Sequence, residues 1–290
     1  MVRALAEGIA DGTNGAGGYD HNADWTSTLM SFHPRGGGYS SSEYLHAEPW
    51  LDFNMIQTTS RFNFANYETV AADFAKKPAK PTIDAEVAYE YSLSLRSVES
   101  DDGRIGPWEV RRAAYWSVFA GSFGHTYGHR SFIRWTCRGE RHKFGADIPW
   151  YEMLDAPGAR QMKYLFQLMH TSGIANCVPY QDLLADGPGT GVDHAQAMLS
   201  DAGQGALIYL PTGKPVVIRL ELLGGERARV SWFNPREGTR IPAGRVHIRG
   251  ARRFAPPTHG EGLDWVLELR PDSSPLQSDA PVNQELGRAE

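Results

Sequence analysis

Asp84-Ala85-Glu86 closes the short run Pro81-Thr-Ile-Asp-Ala85, with Tyr89, Glu90 and Tyr91 directly behind it. Carboxylates at the mouth of a strand, ringed by aromatics, suit cleavage of a glycosidic bond. That reaction takes one carboxyl group to protonate the leaving oxygen and another to attack the sugar or activate water. If the strand continues, Asp84 and Glu86 point to one face, yet a single short segment rarely supplies both roles. The competing reading has Glu86 in an ordinary ion pair with an arginine such as Arg111. His33 follows an earlier apolar run, and the loop Gly36-Gly-Gly-Tyr-Ser-Ser-Ser42 lets backbone approach a ligand closely. It lacks the Gly-Lys-Ser/Thr ending of a phosphate loop. Gln57 ends a second run, preceded by Glu48-Pro-Trp50-Leu-Asp52, where Trp50 is either core or a flat platform for a sugar ring.

A fourth cluster holds His125, Tyr127, His129 and Trp135. Two histidines four apart invite a metal ion, but no third ligand stands at a defined spacing, so no metal is expected. They read instead as donors to sugar hydroxyls or as buried structural histidines. No Gly-x-Ser-x-Gly elbow supports a serine triad, no H-E-x-x-H supports a metalloprotease, and nothing implies a cofactor. Cys137 and Cys177 are open to two readings, a disulfide or two reduced thiols.

The elements that must position these residues alternate. Apolar runs at 28–32, 53–57, 81–85 and 125–127 read as strands. Tyr67, Val70, Ala71 and Phe74 recur at the spacing of one helix face, stopped at Lys76-Lys-Pro78. Pro107 opens a second helix with Val110, Ala114 and Val118 as its stripe, ending at Gly121. A third opens at Pro157 and presents Met162, Leu165, Phe166 and Met169. Strands alternating with such helices predict βα units and a parallel sheet, with chemistry at the carboxyl ends of the strands. Four units precede about residue 172, whereas a closed (β/α)8 barrel needs eight. The chain therefore reads as the C-terminal half of a barrel over 1–184, or as a small open α/β sheet complete in itself. Over 185–270, β-rich runs separated by Pro211-Thr-Gly213, Gly224-Gly225 and Asn234-Pro235 predict an antiparallel β-sandwich. The polar tail 271–290 predicts disorder.

Composition narrows the partners. Among 290 residues, 29 Lys and Arg face 34 Asp and Glu, a net charge of −5 and a pI near 6.1, which argues against nucleic acid. Hydrophobic residues at 41% and charged ones at 22% exclude wholesale disorder. No run approaches the roughly 20 apolar residues of a membrane helix, and the segment MVRALAEGIADGTNG lacks the apolar core of a secretory signal.

The assembled motifs resemble the apiosidase-like glycoside hydrolases, a family that also carries an endoglucanase label. His33-Pro-Arg-Gly-Gly with Ser41-Ser42, Glu48-Pro-Trp50-Leu-Asp-Phe53 through Gln57, Lys80-Pro81 through Asp84-Ala-Glu86 and Tyr89-Glu90 carry the resemblance. Val110-Arg111-Arg112-Ala-Ala-Tyr115-Trp116 and Gly121 through Tyr127-Gly128 extend it to about residue 172. Tyr209-Leu-Pro211-Thr-Gly213, Trp232-Phe-Asn-Pro-Arg236 and Asp264-Trp-Val266 resemble the β-domain that follows in such proteins, which bears a collagen-binding label. The resemblance implies a (β/α)8 barrel and a retaining mechanism on plant polysaccharide side chains, apiose-containing pectin among them. It places Glu86 as nucleophile and His33, Trp50, Gln57, Tyr89, Glu90, His125, Tyr127 and Trp135 around the sugar. It puts the acid/base aspartate after a fourth strand that would precede Met1, so the chain is expected to be part of a longer, secreted or periplasmic enzyme. The alternative is a non-catalytic carbohydrate- or protein-binding remnant. Uncovered barrel edges would favour self-association.

Overall fold

The structure is a computed structural model that describes residues 1–15, 22–58, 64–93, 103–140, 145–172, 174, 176–201 and 203–272. The tail expected to be disordered lies outside the described residues beyond Asp272. The architecture is mixed α/β with a sheet-rich C-terminal part.

The N-terminal part carries a four-stranded sheet in the order β1 (Tyr39–Ser40), β2 (Asn54–Gln57), β3 (Thr82–Glu86), β4 (Gly124–His125). β2, β3 and β4 are parallel, whereas β1 runs antiparallel to β2. Around them lie α1 (Val2–Thr13), α2 (Ser42–Leu45), α3 (Asn66–Phe74), α4 (Pro107–Phe119), α5 (Arg130–Arg134) and α6 (Pro157–Thr171). α4 begins where expected: Pro107 sits in its first turn, and the Glu109 carboxylate accepts the Gly106 N–H at 2.9 Å.

Two expectations of local structure change. Thr28–Phe32 is not a strand. Met30 is instead tied to the approach of β2: its N–H donates to the Asp52 carboxylate at 2.6 Å, and its carbonyl accepts from the Asp52 N–H at 2.9 Å. A side chain thus replaces one rung of a ladder, and no strand forms. In α6 the buried positions are Leu165 and Leu168, while Phe166 is exposed. The helix packs through the Leu165–Leu168 edge, which rotates Phe166 outward.

The C-terminal part is a six-stranded antiparallel sheet in the order β10 (Thr239–His247), β9 (Arg227–Asn234), β12 (Trp265–Pro271), β7 (Ala206–Leu210), β6 (Gln196–Ser200), β5 (Cys177–Pro179). β8 (Val216–Arg219) pairs separately with β11 (Ala251–Phe254). One face of the large sheet, through Leu207, Tyr209, Phe233 and Val266, packs on Tyr115, Trp116 and Phe119 of α4 and Leu165 and Leu168 of α6. The opposite face, through Ile208, Leu210, Trp232 and Leu267, packs on Val216, Ile218 and Phe254. Burial on both faces explains why residues 206–210 read as an unbroken apolar run, not an alternating one.

Polar clamps fix the helices to the sheet. Arg111 of α4 grips Asp264 with two bonds of 3.1 and 2.6 Å, and the Tyr209 hydroxyl donates to the same carboxylate at 3.1 Å. The Trp108 and Trp116 indoles donate to the Pro211 and His194 carbonyls at 2.9 and 2.8 Å. Arg111 is thereby committed to Asp264, and the alternative of an Arg111–Glu86 pair falls away. Cys137 and Cys177 are both free thiols, and burial raises the pKa of Cys177 to about 11. Among the described residues no helix is long and apolar enough to cross a membrane.

Candidate active site

The decisive local feature is a β-bulge. Along β2 and β3, Ile56 lies opposite Asp84, but Gln57 lies opposite Glu86, so Ala85 is an extra residue in β3. Regular alternation would put Asp84 and Glu86 on one face. The extra residue instead turns Glu86 to the face that Gln57 occupies, a common use of bulges beside functional sites. The Thr126 hydroxyl donates to the Ala85 carbonyl and secures the bulge.

Asp84 stays on the helix side, where it is fully buried. Its carboxylate accepts from Ser117 Oγ at 2.8 Å, Asn66 Nδ2 at 3.0 Å and Thr58 Oγ1 at 3.2 Å. Burial outweighs these donors and raises its pKa to about 6. The shared-face expectation for the two carboxylates is therefore corrected: Asp84 knits the sheet to α3 and α4, and Glu86 faces outward.

Glu86 is 28% exposed at its side chain and meets His33, whose Nε2 lies 3.0 Å from Oε2. The other ring nitrogen of His33 lies 2.8 Å from the Pro34 carbonyl. Both contacts are donated together only by a doubly protonated ring. The Tyr89 hydroxyl is also bonded to Glu86; burial and that bond raise the Tyr89 pKa. Gly128 seats the Tyr89 ring so closely that a Cβ there would lie 2.1 Å from Cδ1. Arg130 covers the Tyr89 ring at 5.1 Å and adds a positive charge near Glu86. Gln57 folds over Gly36 of the glycine loop, where a Cβ would meet its Nε2 at 3.1 Å. His33, Gln57, Glu86 and Tyr89 thus come together.

The remaining sequence-derived residues lie elsewhere. Glu90 is buried behind this group, accepting the Tyr127 hydroxyl at 2.6 Å and the Gly158 N–H in the first turn of α6 at 3.1 Å. Burial, then the bond to Glu90, raises the Tyr127 pKa. His125 and Tyr127 line a pocket of about 280 Å³ with Phe123, Met162, Phe166 and Met169. Neither ring nitrogen of His125 has a partner among the described residues, and burial lowers its pKa to about 3, so the ring is neutral. His129 caps α5, accepting the Ser131 N–H at 3.2 Å. Trp50 is only 2% exposed and packs with Ala6, Ala10, Met30 and Leu51. Trp135 stands on the surface, 66% exposed and edge-on to Trp150 at 5.2 Å. Among the described residues no cluster of His, Cys, Asp or Glu could hold a metal ion.

Sequence reasoning missed Arg130 and Gly128. Gly124-His125-Thr-Tyr127-Gly128-His129 did show a glycine between two polar residues, the available signal for a close approach. Nothing local pointed to Tyr89 as the ring approaching it.

An outward carboxylate at the carboxyl end of a parallel strand, in a sheet whose helices pack on a second, antiparallel sheet, is the setting in which family comparisons become informative. Residues 1–176 match the family described as "Apiosidase-like, catalytic domain", and the chain belongs to that family. Residues 178–270 match one described as "Putative collagen-binding domain of a collagenase". A solved structure described as a glycoside hydrolase is similar at 32% identity and a TM-score of 0.77, over 91% of this chain and 61% of its own. A glycoside hydrolase family 5 structure from Bacteroides vulgatus ATCC 8482 is similar at 33% identity and a TM-score of 0.77, over 89% of this chain and 57% of its own. The chain thus spans about three-fifths of the length of these two structures. No curated protein sequence matches it.

Proposed function

We propose that this chain contributes the nucleophile half of a retaining glycoside hydrolase acting on side chains of plant polysaccharides. The observation that carries the reading is the bulge at Ala85, which turns Glu86 out to the face shared with Gln57 while its neighbour Asp84 stays locked inside. Family membership and the two glycoside hydrolase structures support the same class.

In this mechanism Glu86 attacks the anomeric carbon and forms a glycosyl ester as a second carboxyl group protonates the departing oxygen. That second group then takes a proton from water, the water oxygen attacks the anomeric carbon, and Glu86 is released. His33 and Tyr89 orient the attacking carboxylate, and Gln57 faces the sugar beside it. Asp84 and Glu90 are committed to internal hydrogen bonds and do not serve as the acid. We assign the acid to the length that the longer structures have beyond this chain, where further βα units would close a (β/α)8 barrel onto β2–β4, with the C-terminal sheets as its sandwich domain.

The test uses the protein expressed from its complete reading frame. An activated 2-deoxy-2-fluoro glycoside should label the peptide that contains Glu86, read as a mass increase. Glu86→Gln should abolish the labelling and cut turnover of an aryl glycoside by at least about 10³-fold. Full turnover in Glu86→Gln would remove Glu86 from the mechanism. One observation favours a purely binding role: of Asp84, Glu86 and Glu90, Glu86 alone is partly exposed, whereas hydrolysis takes two carboxyl groups. Sugar binding by a wild-type protein that neither labels nor turns over would establish that role instead.

A further inference from the structure

The face of the large sheet that packs on α4 and α6 continues past Thr171, where α6 ends, and there its chemistry changes. Phe233 and Val266 are its last apolar positions. Beyond them on the same face come Ser231 and Arg229 of β9 and Glu268 and Arg270 of β12, while on β10 Arg240 lies opposite Phe233 and Arg245 opposite Arg229. Arg229, Ser231, Arg240, Arg245 and Arg270 line a groove of about 580 Å³ together with Gln204.

The four arginines are arranged around two carboxylates. Asp272 meets Arg229 Nε at 3.3 Å and Arg245 Nε at 2.5 Å. Glu268 meets Arg240 Nε at 3.0 Å and an Arg270 terminal nitrogen at 3.2 Å. Both carboxylates are buried, whereas the arginines are exposed to between 32% and 62%. A plain solvated face would show matched charges and loose geometry. Among the described residues here, four guanidinium groups share two acids, a surplus of two positive charges in a concave wall that focuses their field. Arg229 and Arg245 lie directly across the ladder, where like charges repel. Asp272 holds them together by their inner nitrogens, and the two arginine side chains stay 62% and 49% exposed. A guanidinium fork held by its inner edge is ready to donate its outer edge to another planar anion.

We propose that this groove binds a carboxylate-bearing polysaccharide, a chain of uronic acid residues, and anchors it while Glu86 works elsewhere on the same polymer. The choice of a polysaccharide over other anions rests on the glycoside hydrolase reading above; the anion preference rests on the groove alone.

Calorimetric titration of the full chain with hexagalacturonate tests it. Binding is expected, and it should weaken as salt is raised. The fully methyl-esterified hexamer, which keeps the sugars and loses the charges, should bind at least about tenfold more weakly. Arg229→Gln with Arg245→Gln should weaken binding by about tenfold or more, and the paired lysine replacements, which keep charge but lose the fork, should fall between. Should the glutamine pair not fold, as judged by its melting curve, the lysine pair and the ester comparison still decide. Equal affinity for the ester, affinity unaffected by salt, or a lysine pair indistinguishable from wild type would overturn the proposal. So would equal affinity for a single-stranded oligonucleotide of the same charge. Glu86→Gln should bind hexagalacturonate like wild type. Full glycoside turnover in Glu86→Gln, or none in the wild type, would sink the hydrolase reading while retained hexagalacturonate binding leaves the groove standing.

Discussion

The two sheets of this protein are built on opposite plans. Around β7 the C-terminal sheet is apolar on both faces: Leu207, Tyr209 and Val266 point to the helices, and Ile208, Leu210 and Leu267 point away, all buried. The N-terminal sheet is buried on one face only, and that face is largely polar, with Asn54, Thr82 and Asp84 beside Ile56. Its other face carries Met55, Ile83, Gln57 and Glu86, all partly exposed. The lesson is a division of labour. A sheet that presents a carboxylate to solvent gives up one apolar face, and its position is held by helices that share a core with the doubly buried part of the other sheet.

If that is right, the largest effect of any single substitution should come at the clamp between the two parts. Asp264→Ala leaves the buried Arg111 guanidinium without its carboxylate, a loss worth about 3–5 kcal/mol. Chemical unfolding of the variant should show this loss, with the near-ultraviolet signal of Trp108 and Trp116 affected in the same transition. An Asp264→Ala protein as stable as wild type would mean that the helices do not depend on the sheet. Next in size comes a direct contrast of the sheets. Leu207→Ala, fully buried between sheet and helices, should cost about 2–5 kcal/mol. Ile83→Ala, on the partly exposed face of β3, should cost about 1 kcal/mol. Equal costs would break the comparison.

The polar face of the N-terminal sheet makes a pH prediction. Burial holds the Asp84 pKa at about 6, above its ordinary 3.8, so the folded protein binds this proton more tightly than the unfolded chain does. The stability it contributes is complete below about pH 4 and is lost as pH rises through 6. Between pH 7 and pH 4 this group should therefore add about 2–3 kcal/mol, read as the difference in pH dependence between wild type and Asp84→Asn. Parallel curves for the two proteins would show that Asp84 titrates normally and that the polar face is hydrated.

How far the sequence announces all this depends on whether the controlling contact is local. Pro107 and the stripe Val110, Ala114, Val118 mark α4 correctly because helix signals repeat within a few residues. Residues 229–233 and 264–269 fall on β9 and β12 for the same reason. β10 went unread: its residues are nearly all exposed, and Pro242 and Gly244 interrupt it, so neither hydrophobicity nor propensity marks it. β5 and β6 are short and gain their meaning only from pairing. At the site, Glu86 was visible as a carboxylate beside aromatic rings, but its direction was not. Alternation along β3 is local, whereas the bulge is defined by register with β2, a segment nearly thirty residues away. The Arg111–Asp264 clamp joins residues 153 apart, which no reading of spacing can reach.

The smallest expected effect sharpens the comparison most finely, because it asks whether an aromatic ring belongs to the core or to the ligand. Trp50 reads as core or as a sugar platform, and the family resemblance sets Trp135 around the sugar, yet the structure separates them. The Trp50 indole is buried against α1 and donates to the Glu48 carboxylate at 3.0 Å, and Trp135 stands exposed beside Trp150. Trp50→Phe keeps most of the ring volume and loses that bond, so it should lower stability by about 1 kcal/mol. The KM of the enzyme expressed from its complete reading frame should not move. Trp135→Ala should do the reverse, raising KM severalfold with the melting temperature nearly unchanged, since within the protein the exposed ring gives up little beyond its edge contact with Trp150. A KM shift in Trp50→Phe without loss of stability would place that ring against the substrate after all, and the apolar cluster under α1 would then be a wall of the binding site.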